Sequence, residues 1–311
     1  MKKPQPVLAF GLTPALQRTM RFARFQLGEV NRAHEVSVTA AGKCVNVGLA
    51  LAILGNDAYV TGFNGGAAGR MLVADVIRRG GLPAFTKIDA ETRTCTTVID
   101  EATGAVSELV QEAPAVTEED LARLNRKVLR LLPSCSAMTI SGNLPKTFPD
   151  DAYATVARKA DSLSIPWLID SHKAPLLATL PYHPMLAKMN RLELAATFGL
   201  GTASEKNCVK ALRELTKAGA RWALMTDGAA PALLLSADGE LLRLAPAVLD
   251  KVASPIGSGD CATAGTIHAL LRGLEMADAV AYGLACGTAN ARTFLPAFFE
   301  KPILSRESPD S

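Results

Sequence analysis

The sequence predicts an α/β fold: a central, mostly parallel sheet flanked by helices on both faces. Two observations carry this. Short apolar runs without polar alternation recur along the chain, as strands buried on both faces require. Stretches of helical periodicity separate those runs. A third observation adds a second feature. Two segments with period-2 patterning interrupt the alternation and predict a small accessory sheet.

In chain order, residues 7–10 read as the first strand, too short an apolar run before Gly11 and Pro14 to be a signal peptide. Residues from about 19 to 40 alternate, with Phe25, Leu27 and Glu29, then His34, Val36 and Val38. Residues 45–54 and 71–79 read as helices around a strand at 58–61. Residues 94–99 and 105–110 read as a hairpin turned at 101–104. Further helices are expected at 118–132 and 206–218, and further buried strands at 137–140, 166–170, 185–188 and 222–225. A third hairpin is centred on Asp238 and Gly239. Residues 1–311 read as one domain, with a lid formed by about 19–40 and 92–111. Such a lid would exclude water from a phosphoryl-transfer site.

Composition narrows the function. With 311 residues, 49% of them hydrophobic, the chain easily supports a packed core. A net charge of +3 gives no electrostatic case for nucleic acid and is compatible with an acidic small-molecule substrate. Six cysteines, Cys44, Cys95, Cys135, Cys208, Cys261 and Cys286, lack any CxxC spacing. That usage predicts reduced, mostly buried thiols in a cytoplasmic protein, without a metal cluster. No apolar stretch is long enough to span a membrane.

The most informative run is Pro255-Ile256-Gly257-Ser258-Gly259-Asp260, followed by small residues from Cys261 that read as a helix. Glycines one residue apart let backbone N–H groups turn inward, and the helix N-terminus points more of them at the same spot. Asp260 sits at that junction. Phosphate-holding donors beside a candidate base suit phosphoryl transfer to an alcohol. Two other readings exist. The run can be an ordinary turn with Asp260 as a cap. It also satisfies a dinucleotide-binding Gly-x-Gly-x-x-Ala, although it follows no convincing strand and Asp260 would oppose a pyrophosphate.

Other positions point the same way. Gly42 and Lys43 open a helix, where a lysine suits a bound phosphate. Arg93 could clamp a second face of that phosphate, or stand as a solvated surface residue between threonines. Asn190 and Glu193 share a helical face and could hold a hydrated Mg²⁺, or form a capping box. Thr226-Asp227-Gly228 after a strand could seat a nucleotide, or simply turn the chain. A P-loop is absent.

Taken together, these segments resemble the ribokinase-like, or pfkB, family of carbohydrate kinases, in its branch of 1-phosphofructokinases and tagatose-6-phosphate kinases. The resemblance is collinear over essentially the whole chain. It is carried by Leu12-Thr13-Pro14-Ala15-Leu16-Gln17, Leu27-Gly28-Glu29-Val30-Asn31-Arg32-Ala33, Thr61-Gly62-Phe63-Asn64-Gly65-Gly66 with Gly69, Thr92-Arg93, Ser141-Gly142-Asn143-Leu144-Pro145 and Gly257-Ser258-Gly259-Asp260. It implies a ribokinase-like α/β fold with a β-lid, ATP and Mg²⁺. It implies that Asp260 takes the acceptor hydroxyl proton while Gly257, Ser258 and Gly259 stabilise the transferred group. It places Gln17, Gly42, Lys43, Asn46, Arg93 and Ser141 at the substrate. Lys188, Asn190, Thr226, Gly228, Gly257, Gly259 and Asn290 fall at ATP, and Glu193 and Asn190 at the metal. A homodimer through the lid is also implied.

The acceptor expected from this resemblance is a phosphorylated ketohexose of the fructose 1-phosphate or tagatose 6-phosphate class. A kinase of another sugar or polyol, or a divergent sugar-phosphate-binding protein with weak turnover, are the alternatives. The departures motivate them. Gln17 stands where the branch has Asp, Thr13 replaces Asn, Ala41 and Cys44 replace glycines, Met189 replaces Pro, and Pro231 replaces Gly.

Overall fold

The computed structural model describes residues 4–145 and 147–303, so residues 1–3, 146 and 304–311 of the expected domain lie outside it. The chain begins β1 (Val7–Phe10), β2 (Ala15–Phe22), β3 (Glu35–Ala41), α1 (Lys43–Ile53), β4 (Ala58–Val60), β5 (Phe63–Asn64) and α2 (Gly66–Arg78). It continues β6 (Leu82–Pro83), β7 (Thr86–Lys87), β8 (Thr94–Asp100), β9 (Ala105–Leu109), α3 (Glu118–Leu131), β10 (Ala137–Ser141), α4 (Ala154–Ser162), β11 (Trp167–Asp170) and α5 (Lys173–Leu177). It ends β12 (Leu186–Asn190), α6 (Arg191–Phe198), α7 (Glu205–Lys217), β13 (Trp222–Asp227), β14 (Ala230–Ser236), β15 (Leu241–Leu244), α8 (Ser258–Leu271) and α9 (Met276–Ala291).

Nine strands form the main sheet in the order β15-β14-β13-β12-β11-β10-β1-β4-β6. Pairing is parallel from β13 through β6, and the β14–β15 edge is antiparallel. Strand side chains divide between two cores. Val7, Ala9, Leu168 and Leu186 pack with residues of α1, α2, α8 and α9. Leu8, Phe10, Ile169 and Ala187 pack with residues of α3, α4, α6 and α7 on the other face. That division is why the strands read as continuous apolar runs. Among the described residues, no helix is long and apolar enough to cross a membrane.

The accessory sheet has the order β3-β2-β8-β9. Its central pair, β2 and β8, is parallel, and the outer pairs are antiparallel. The expected boundaries need correction, because β2 begins at Ala15 and the alternation from Phe25 to Glu29 is not a strand. There the Asn31 side chain accepts from Gln26 N (2.8 Å) and donates to Gln26 O (2.7 Å) and Glu29 O (3.0 Å). These bonds close a loop that takes the place of strand pairing.

Candidate active site

The carboxyl ends of β10, β11, β12 and β13 converge where open α/β sheets place their ligands. The N-termini of α1 and α8 meet them there. Both helices start from a glycine with positive φ, Gly42 at +101° and Gly257 at +81°, a backbone that side-chain-bearing residues rarely adopt. A cavity of about 830 Å³ opens between these ends and the small sheet.

At its centre is an ion network. Lys43 Nζ donates to Asp170 Oδ1 and Glu193 Oε1, each at 2.8 Å, and Lys188 Nζ donates to Asp170 Oδ2. Asp170 is 1% exposed, and burial acts against its charge, but Lys188 and Lys43 hold its pKa well below the usual carboxylate range. Burial likewise opposes the Lys43 ammonium, and Asp170, Glu193 and Asp260 outweigh it and raise the Lys43 pKa well above the ordinary value. Asp170 was not singled out from the sequence. Its one signal was a carboxylate ending a buried parallel strand.

Asp260 lies in the first turn of α8 with Asn46 Nδ2 donating to its Oδ2 (2.7 Å). Its other oxygen has no hydrogen-bond partner among the described residues. Burial first, and the ionised Asp170 second, raise its pKa to about 7, against the opposing pull of Lys43, Asn46 and Lys188. That is where a general base operates best near neutrality. Ser258 N bonds back to Pro255 O (3.2 Å), whereas the N–H groups of Gly259 and Asp260 lack acceptors, as first-turn donors do. A Cβ at Gly259 would lie 3.3 Å from Lys188 Nζ, so this glycine lets the ammonium approach the helix N-terminus.

The remaining expected residues divide by position. Thr13, Gln17, Gly42, Arg93 and Asn143 line one end of the cavity, and Asn190, Thr226, Gly228 and Ser258 the other. Gln17 donates from Nε2 to Thr97 Oγ1 (2.6 Å), and Arg93 donates to Thr13 O (2.9 Å). Pro246, Val248, Leu249 and Val252 add an apolar wall at the second end, and no periodic pattern marks these residues in the chain.

Four expectations are revised. Ser141 is 1% exposed and does not line the cavity; the strand's last side chain turns inward, and Gly142 and Asn143 take the wall. Asn290 is fully buried; it donates to Ile256 O (2.9 Å) and Ser258 Oγ (3.2 Å) and accepts from Ala297 N (2.8 Å). It braces the glycine-rich loop from behind. Lys43 does not stand free for a phosphate, because its ammonium is shared between two carboxylates. Asn190 and Glu193 form the capping box, with Glu193 Oε2 accepting from Asn190 N (2.9 Å) and Asn190 Oδ1 accepting from Glu193 N (2.8 Å).

The donor set therefore does not form a metal cage. Both Glu193 oxygens are engaged, and no cluster of three or more metal-ligating side chains occurs among the described residues. The sequence departures divide evenly between the cavity wall and positions behind it. Cys44 is buried against Thr61 O (3.5 Å), and Met189 and Pro231 do not line it; Thr13, Gln17 and Ala41 do.

Solved structures share this fold. Phosphofructokinase-2 from Escherichia coli in complex with fructose-6-phosphate is 23% identical with a TM-score of 0.82, covering 93% of this chain and 94% of that one. A protein described as a possible 1-phosphofructokinase from Thermotoga maritima is 22% identical with a TM-score of 0.85, covering 94% and 93%. Arabidopsis thaliana ribokinase complexed with ribose and ATP is 16% identical with a TM-score of 0.74, covering 95% of each chain. The family model for pfkB family carbohydrate kinases matches residues 7–299, and the chain belongs to that family.

Proposed function

We propose that this carbohydrate kinase transfers the γ-phosphoryl group of ATP to a hydroxyl of a phosphorylated ketohexose, of the fructose 1-phosphate or tagatose 6-phosphate class. The observation that carries the reading is Asp260, a buried carboxyl with a pKa near 7 beside unpaired helix N–H groups in the cavity. Its ionised form takes the acceptor hydroxyl proton. The N–H groups of Gly257 and Gly259 and the Lys188 ammonium hold the transferred phosphoryl, whose charge spreads over its outer oxygens, while Ser258 N–H closes the loop on Pro255 O. ATP occupies the end lined by Asn190, Thr226, Gly228 and the apolar wall. Mg²⁺ carried by the nucleotide phosphates would neutralise their charge, and Asn190 and Glu193, joined in the capping box, are not assigned to it.

The acceptor lies under the small sheet, which serves as a lid, with Gln17 and Asn143 at its hydroxyls and Arg93 at its phosphate. A phosphofructokinase-2 with this fold binds fructose-6-phosphate, which supports the acceptor class. A second reading, an unphosphorylated sugar or polyol, is favoured by one observation: Lys43 is committed to Asp170 and Glu193, and Glu108 lines the acceptor end near Arg93. A panel of sugars and sugar phosphates with Mg·ATP, read by ADP formation, separates the two. Preference for ketohexose phosphates, lost at least about tenfold in acceptor KM with Arg93→Ala, supports the first reading. Equal use of free and phosphorylated sugars establishes the second.

A further inference from the structure

A second cavity, of about 580 Å³, shares no lining residue with the first. It lies between α3 and β7. Arg123, Arg126, Lys127 and Arg130 follow the three- and four-residue spacing that collects side chains on one helix face. Lys87 adds a fifth cation from the strand. The β7 region fixes two of them, since Phe85 O accepts from Lys127 Nζ, and Lys87 O accepts from Arg123 Nη2 (3.0 Å). Arg123 also pairs with Asp120. The side chains of Lys87, Arg126 and Arg130 make no ion pair or hydrogen bond among the described residues. Burial first, and the charges of Arg130 and Arg123 after it, push the Lys127 ammonium below its ordinary pKa.

One observation independent of the charges points to a ligand. Thr86 is on the wall of this cavity and only 4% exposed, and its Oγ1 is buried without a hydrogen-bond partner. A buried hydroxyl is normally satisfied, and an acceptor carried into the cavity would satisfy this one. Phosphate oxygens are such acceptors. The concave shape and volume suit a small molecule, and the chain's net charge of +3 is too small to favour a polynucleotide.

We propose that this cavity binds a small, multiply phosphorylated anion, with Lys87, Arg126 and Arg130 pairing its phosphate groups and the Thr86 hydroxyl donating to one of them. The site is distinct from the sugar and nucleotide cavity and stands whichever acceptor that cavity takes.

Inorganic triphosphate is the probe, titrated into the full chain by calorimetry, with hydrogen exchange read by mass spectrometry to locate it. Binding should slow exchange in segments 84–88 and 118–131. Arg126→Glu with Arg130→Glu, both on an exposed helix face, should weaken that binding at least about tenfold. Thr86→Val should weaken it about threefold and leave the melting temperature unchanged or higher, because the hydroxyl has no internal partner to lose. Turnover of sugar with ATP should be unchanged in each variant. Unaltered triphosphate affinity in the double variant, or protection confined to residues 255–262, overturns the proposal. So does tighter binding of a short DNA duplex through the same residues. A lowered melting temperature in Thr86→Val without loss of affinity removes Thr86 from the site.

Discussion

Asp260 is ionised at a cost, because burial and the neighbouring Asp170 charge both oppose its carboxylate. Its pKa is raised in the folded chain above the unfolded value of about 3.9. The folded state therefore holds the proton over a range in which the unfolded state has released it. Stability tied to this group falls as pH rises from about 4 to about 7, and the full penalty is present above that. Two consequences separate a base from a structural acid. The kcat/KM profile should lose activity as pH drops through about 7. Asp260→Asn should reduce turnover by ~10²–10⁴ while raising, not lowering, the melting temperature at pH 8. Near-normal turnover in that variant removes Asp260 from the mechanism. This residue was legible in the sequence because glycines and a helix start surrounded it. Asp170 was not, because its importance comes from Lys43 at the start of α1 and Lys188 on the neighbouring strand, which meet it only in the folded chain.

At the scale of elements, the parallel strands β1, β4 and β10 to β13 and the helices α1, α3 and α7 were legible from periodicity, whereas α4, α5 and α6 were not. α3, with its Thr117–Asp120 capping box, starts at the predicted residue 118. The two helices behind the catalytic loop were legible only in part. α8 followed from the small residues after Asp260, but α9 is nearly uniform in small and apolar residues and carries no strong stripe. Its helicity is imposed by packing. A Cβ at Gly283 of α9 would lie 2.3 Å from Thr266 Oγ1 and 2.4 Å from Ala262 O of α8, so the two helices touch backbone to backbone. Asn290 on the same helix braces the Ile256–Ser258 loop. Gly283→Ala should therefore push α9 off α8 and cost about 1–3 kcal/mol by overpacking, despite the better helix propensity of alanine. Denaturant unfolding measures the loss. A gain in stability would show that the helices separate without strain.

For the molecule as a whole, the sequence located the small sheet but not what its two faces do. Strand register assigns them. Gln17, Cys95 and Glu108 line the cavity, with Thr97 on the same face. Alternate residues, Met20, Val36, Val38, Val98 and Leu109, fall on the opposite face. Val36 is 52% exposed, Val38 39% and Leu109 60%, which is a costly arrangement for a sheet left bare in water. The edge strands β3 and β9 also end the sheet without a neighbour. A homodimer through this face, the expectation drawn from the resemblance, would cover the apolar residues and satisfy two-fold symmetry, since the same patch would serve both partners. Light scattering after gel filtration should then give twice the 32.7 kDa chain mass. Val36→Lys with Val38→Lys should halve that mass, because the charges would be buried against their own copies. The acceptor KM should rise in that variant, because the face that meets the partner and the face that carries Gln17 belong to one sheet. A native protein that is monomeric at micromolar concentration and fully active would sink the idea. A dimer that survives both lysines would place the contact on another surface.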